Sequence, residues 1–376
     1  MMTQLFGVLS WHSAVLSGLS FCFCVMLIGL SGRYPRLAGA TSNLSAVQAS
    51  HIRSTPRVAG VAIFAALAVS ITFAPEAFVQ RYAIFMAATS LIFIPGLLED
   101  LGFGVSPRLR LLAAVFASLA VSLLLEIWLP RSGIALLDPF LSYPLVGIPL
   151  TVFLITGVTN GFNLIDGVNG LAAIAAIICS LALALIAQQV GYLAMVKFNL
   201  MLTAAILGFA LLNYPWGKIF LGDAGAYTIG FVLSWFGVSI LARYPDVSPW
   251  AILLTVFWPV ADTLLAIYRR GLRRSSAVLP DRLHVHQLVM RALEIHVLGR
   301  GKRHIANPLT TLVLAPFVMV PPITAVIVWN EPGAALVFVC LYSIVFIACY
   351  ILAFPVLRCL PRRGGNRHGL LPELED

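Results

Sequence analysis

The chain has 376 residues, of which 60% are hydrophobic and only 10% charged, where a soluble domain carries roughly 25% charged residues. That many apolar side chains exceed what one water-soluble core of this length buries, which excludes an ordinary soluble globular protein. The net charge of +9, from 24 Lys and Arg against 15 Asp and Glu, is explained by where the positive residues fall between apolar runs. No nucleic-acid partner is expected. The six cysteines, Cys22, Cys24, Cys179, Cys340, Cys349 and Cys359, lie almost all inside apolar runs without a C-x-x-C pair, so neither a disulfide framework nor a zinc site is expected.

A helix crossing a bilayer takes about 20 mostly apolar residues. Such runs cover 12–31, 57–74, 81–98, 109–129, 144–158, 168–187, 191–212, 226–242, 250–268, 308–329 and 334–355. The first has no Lys or Arg before it, so without the positive n-region of a secretory signal it reads as a retained helix. With an external N-terminus, the connections 32–56, 99–108, 159–167, 213–225 and 269–307 and the basic tail 356–376 face the cytoplasm. That arrangement leaves only Arg81, Arg131 and Arg243 on the opposite face and Lys197 within a span, as the positive-inside rule expects. The expected fold is all-α and polytopic, a single transmembrane domain over 1–376 with about eleven helices and a cytoplasmic C-terminus.

Polar residues gather on that cytoplasmic face in four stretches. Glu99-Asp100 precedes Gly102 and Ser106-Pro107-Arg108-Leu109-Arg110, and adjacent carboxylates at an interface repel unless a cation offsets them. Asn160, Asn163, Asp166 and Asn169 recur every third residue among Gly161, Gly167 and Gly170. Amide and carboxylate oxygens this close to apolar helices are costly unless they bind something, although a single Asn suffices to cap a helix. Phe220-Leu221-Gly222-Asp223-Ala224-Gly225 sets an acid between glycines. A turn or cap explains it alone, and a Mg²⁺ ligand explains it in company. The long loop carries Arg269-Arg270, Arg273-Arg274 and Asp281-Arg282-Leu283-His284-Val285-His286-Gln287, donors suited to phosphate oxygens. His51-Ile52-Arg53 through Arg57 and Gly60 adds a smaller cationic set. Asp262, two turns inside the ninth span, is expected to pair with Arg269 or Arg270. Acids and amides for a divalent cation beside Arg and His for anions fit phosphoryl transfer at the interface.

These residues resemble the polyprenyl-phosphate N-acetylhexosamine-1-phosphate transferases, a glycosyltransferase family 4 group, from about His51 to Arg291. Asn160–Ala172 matches N-x-x-N-x-x-D-G-x-[DN]-G-L-A and Phe220–Tyr227 matches F-x-G-D-x-G-[SA]. Pro259–Thr263 looks like P-x-x-D-T, Arg269-Arg270 like the RR pair, and Asp281–Gln287 like D-R-x-H-I-H-H. The last form is nearer the branch that starts O-antigen and related lipopolysaccharide or enterobacterial-common-antigen glycans than the muramoyl-pentapeptide branch. Glu99 replaces a frequent Asp, Gln287 a His and Asn169 a frequent Asp.

The resemblance implies transfer of a HexNAc-1-phosphate, or a deoxy-amino-sugar equivalent, from a UDP-sugar to undecaprenyl phosphate, giving the lipid diphosphate sugar and UMP. It implies Mg²⁺, replaceable by Mn²⁺, with Asn163 and Asp223 as its ligands. Glu99, Asp100, Asp166 and Asp223 would form the catalytic set, with Asp100 and Glu99 near the lipid phosphate. His51, Asn160, Asn169, Arg282, His284 and His286 would bind substrate, Asn169 reading the uracil edge. Membrane lipids are the other partners, a homodimer is compatible with the family, and the setting would be a bacterial inner membrane with the site facing the cytoplasm. The competing readings are a phospho-MurNAc-pentapeptide transferase and a secondary transporter. The polar residues sit at helix ends on one face, and no repeat is visible, which disfavours transport.

Overall fold

The computed structural model describes residues 11–38, 55–273, 283–299 and 301–359. Its principal helices are α1 (Trp11–Ser31), α2 (Ala59–Ser70), α3 (Val79–Asp100), α4 (Pro107–Leu125), α5 (Pro144–Ile165), α6 (Leu171–Gln189) and α7 (Leu193–Asn213), followed by α8 (Gly222–Arg243), α9 (Pro249–Thr255), α10 (Phe257–Arg273), α11 (Val285–Ala292), α12 (Arg303–Ile327) and α13 (Pro332–Cys359). No strand occurs among the described residues. The protein is an all-α polytopic membrane protein.

Each of the eleven apolar runs coincides with a helix, but they are not equivalent. Nine helices among the described residues are long and apolar enough to cross a bilayer, and α9 with α10 makes a tenth span bent by 84°. The bend has a local cause. Pro259 has no N–H to offer the Thr255 carbonyl one turn back, and its ring crowds that position. Val256 leaves the helical region, and the Thr255 carbonyl accepts from the Cys179 thiol instead. The remaining run forms Ala59–Phe73, a shorter apolar helix. At 1.5 Å per residue it reaches only about 22 Å of a roughly 30 Å core.

Helix α2 packs against the first turn of α8. Helix α8 is the centre of the molecule and almost wholly buried, whereas α13 lies on the outside and is mostly exposed. A Cβ on Gly60 would overlap the Gly225 backbone, and one on Gly96 would overlap Ala224. These glycines let α2 and α3 close onto the first turn of α8. The backbones of 56–60 and 220–221 are bonded directly, Phe220 N–H to Pro56 O at 2.8 Å and Gly60 N–H to Leu221 O at 3.0 Å. Helices α3, α5 and α8 therefore deliver their polar ends to one place. Helix α4 starts beside them, with Pro107 at its first position and Ser106 Oγ accepting from Leu109 N–H at 3.3 Å.

Candidate active site

The organising residue is Asp100, at the last turn of α3. The N-terminus of α8 has no side-chain cap of its own, which leaves backbone donors unsatisfied in a buried place. Asp100 Oδ1 accepts from Asp223 N–H at 2.8 Å and Oδ2 from Ala224 N–H at 2.9 Å. Gly222 makes this approach possible: its φ of +75° is a left-handed value, and a Cβ would strike Arg57 O and the Asp100 carboxylate. A carboxylate expected near the lipid phosphate is thus committed, through both oxygens, to holding the backbone of Asp223.

Asp223 then presents its carboxylate to two other elements. Asn163 Nδ2, on the last turn of α5, donates to Asp223 Oδ1 at 3.1 Å. The Arg110 guanidinium, on the first turn of α4, is ion-paired with Oδ2 and lies over the Tyr227 ring at 6.0 Å. The buried Glu99 Oε2 makes no hydrogen bond. Among the described residues no group of three or more His, Cys, Asp or Glu is disposed to hold a metal. Oxygens from Asp223 and Asn163, with the unbonded Glu99 Oε2 next in the chain to Asp100, nevertheless fit Mg²⁺. That ion takes one or two carboxylates and completes its octahedron with water and substrate phosphates.

The turn after α5 carries the next set. Asp166 is its first residue; burial pushes its carboxyl up to about 6, against the pull of the Arg57 guanidinium. Gly167 meets the long loop: a Cβ there would overlap the His286 imidazole. Asn160 donates Nδ2 to Thr156 O at 2.8 Å within its own helix. Asn169 is 4% exposed, its Nδ2 donating to Pro215 O at 3.1 Å, and Gly170 N–H donates to Asn213 Oδ1 at 2.6 Å.

The structure also brings the His-x-His pair to this turn. His284 Nδ1 is 2.7 Å from Asp262 Oδ2, and Val285 N–H donates to Asp262 Oδ1 at 3.3 Å. Asp262, expected to pair with Arg269 or Arg270, is therefore the anchor of the loop helix α11. Arg269 lies over the Tyr350 ring at 5.3 Å. The His284 and His286 rings stack at 5.7 Å. His286 is buried with Nε2 unbonded, and that burial holds its imidazole down to about 4, against the pull of Asp262. His51 and Arg282 lie outside the described residues.

Sequence reasoning gave no site role to Arg57, Arg110, Asn307 or Thr311. Arg110 had a visible signal, a cation three residues inside a Ser-Pro helix start, where the helix dipole disfavours it unless an acid faces it. Asn307 and Thr311 had none, being 138 and 142 residues from their partner Asn169.

Residues 82–241, which span Asp100, Asn163, Asp166 and Asp223, match the model of glycosyl transferase family 4. The chain is 29% identical over 252 residues to a probable undecaprenyl-phosphate N-acetylglucosaminyl 1-phosphate transferase of Bacillus subtilis, covering 64% of this chain and 67% of that one. Undecaprenyl-phosphate α-N-acetylglucosaminyl 1-phosphate transferases of Yersinia pestis and Escherichia coli are each 26% identical over 248 residues. Those two matches cover 63% of this chain and 66% and 65% of theirs. The matches span about two thirds of the length of these relatives.

Proposed function

We propose, for a chain whose residues 82–241 match the model of glycosyl transferase family 4, that it transfers a sugar-1-phosphate from a UDP-N-acetylhexosamine or related UDP-sugar to undecaprenyl phosphate, releasing UMP. The observation that carries the reading is the convergence of Asp100, Asn163, Arg110 and Asp223 at the first turn of α8. An oxygen of the acceptor phosphate attacks the phosphorus bearing the sugar, the bond to the uridine-bearing phosphate breaks, and UMP leaves with that electron pair. The acceptor is mostly dianionic at neutral pH, its second pKa being about 6. It needs little help from a base, which agrees with an Asp100 occupied by backbone amides.

What the chain must supply is charge neutralisation and alignment of two polyanions. Asp223 and Asn163 would hold Mg²⁺, which when bound withdraws charge from the pyrophosphate oxygens. Arg110 and Arg57 offer guanidinium groups to the same phosphates. His284 and His286 of α11 stand against the turn after α5, on the side proposed for the nucleotide. The excess of Lys and Arg at this end of the helices supports a site on the cytoplasmic face of a bacterial inner membrane, where UDP-sugars are available. The product would prime an O-antigen or related surface glycan.

The test follows UMP release by purified protein with undecaprenyl phosphate, Mg²⁺ and a panel of UDP-sugars, with EDTA as control. Release should require lipid and metal together, and the donor supporting it names the sugar. Asp223→Asn should lower turnover by about 10²-fold or more. Release independent of metal, or an Asp223→Asn variant at normal rate, removes the metal assignment. Turnover of UDP-MurNAc-pentapeptide alone moves the chain to the peptidoglycan branch.

A further inference from the structure

We propose that Asn307 and Thr311 of α12 are positioning residues for the donor site, acting through the turn 166–170; this rests on the transferase reading above. Helix α12 lies outside both the family match at 82–241 and the motif-bearing stretch. Yet its first turns grip the middle of the site turn. Asn169 N–H donates to Asn307 Oδ1 at 2.7 Å, and Thr311 Oγ1 donates to Asn169 O at 2.6 Å. Both side chains are fully buried, and their spacing of four residues puts them on one face of α12.

Holding the N–H and the C=O of one residue fixes the peptide planes on both its sides. The adjoining Gly170 N–H is held by Asn213 Oδ1, whose own Nδ2 donates to Ile219 O at 2.8 Å. The C-terminal half of the turn is thus clamped between α12 and the 213–219 loop. Its N-terminal half, Asp166 and Gly167, faces Arg57 and His286. With Asn169 almost wholly buried, losing either bond strands a buried backbone group, so the backbone has one satisfied position. A long-range clamp on two peptide groups is more than helix packing requires. Its product is the placement of Asp166 and Gly167 relative to α8 and α11, and displacements of about 1 Å near reacting groups cost up to about 10²-fold in rate.

Thr311→Val removes the hydroxyl at constant shape, and Thr311→Ser keeps it. Thr311→Val should lower kcat/KM for the UDP-sugar about tenfold, mainly through KM, with the KM for undecaprenyl phosphate unchanged and Thr311→Ser close to wild type. Hydrogen–deuterium exchange of the peptide covering 166–170 should speed up in Thr311→Val and in Asn307→Ala while exchange in α8 is unaltered. Wild-type kinetics and exchange in Thr311→Val, or an equal loss in Thr311→Val and Thr311→Ser, overturns the proposal. If the wild-type protein turns over no UDP-sugar, the transferase reading fails and the exchange arm still decides the clamp.

Discussion

Asp100 shows how a residue type chosen for chemistry can be committed elsewhere. If Asp100 were a general base, Asp100→Asn would remove the basic group and change the pH dependence of turnover. Its oxygens instead accept two amides of α8, and an Asn can accept only one of them, turning an NH₂ toward the other. Asp100→Asn should therefore lower thermal stability, by about 1–3 kcal/mol, and turnover with it, while the pH profile of the residual activity keeps its shape. A lost limb in that profile would restore the base. His286 gives a pH effect of definite sign. Its imidazole titrates near 4 in the folded chain and near 6.5 unfolded, so the unfolded state binds the proton first. The stability it contributes is full above about 6.5 and is lost as pH falls toward 4. Asp166, raised to about 6, has the opposite sign, since its contribution is full below about 4 and lost as pH rises through 6. Acidification from pH 7 to 4.5 should thus loosen α11 selectively, read as lower protection of amides 285–292 relative to the intrinsic exchange rate at each pH. His286→Gln should abolish that difference.

At the scale of elements, the Asp262–His284 pair joins α10, inside the membrane, to α11 outside it. Deleting one member of a buried, hydrogen-bonded pair strands the other, at about 1–3 kcal/mol. Asp262→Ala should free α11, raise the KM for the nucleotide sugar and expose 283–292 to protease, leaving the acceptor KM unchanged. An unchanged donor KM with intact α11 would make the pair irrelevant to the site. This pair also marks where the sequence stops being readable. Apolar runs of bilayer length place the helices, and the Asn160–Ala172 and Phe220–Tyr227 stretches place Asn163 and Asp223, because both signals are local. The break at Val256 was readable in principle from Pro259, but hydropathy averages over it. Partners across space were not: Asp262 and His284 are 22 residues apart, Asp100 and Asp223 123 apart. Proximity in the chain favoured Arg269 and Arg270 for Asp262, and only the fold of α10 against α11 decides otherwise.

For the whole molecule, the contacts at the site constrain topology. The C-terminal ends of α3 and α5 and the N-terminal ends of α4 and α8 touch one another, so they lie on one side of the membrane. The α12 N-terminus reaches the same turn. Single crossings by each intervening helix satisfy this parity only if α9 and α10 together count once, which their shared bend allows. The face so defined is the one rich in Arg, and two arginines on the other face have local work. Arg131 donates to the Leu241, Tyr244 and Val247 carbonyls at 2.6–2.9 Å, closing the C-terminal end of α8, and Arg243 lies over the Tyr192 ring at 5.4 Å. Neither weakens the charge asymmetry as a topology signal, because each is fixed by carbonyls or a ring and not left free to meet lipid headgroups. The orientation is then open to a direct measurement in a cysteine-free background. Tyr143→Cys, at a position 64% exposed beyond α4, should react with a membrane-impermeant maleimide in intact cells. Phe103→Cys, at a position 57% exposed beside the site, should react only after permeabilisation. The reverse pattern would put the site outside, away from any supply of nucleotide sugar, and the transferase reading would fall with the orientation.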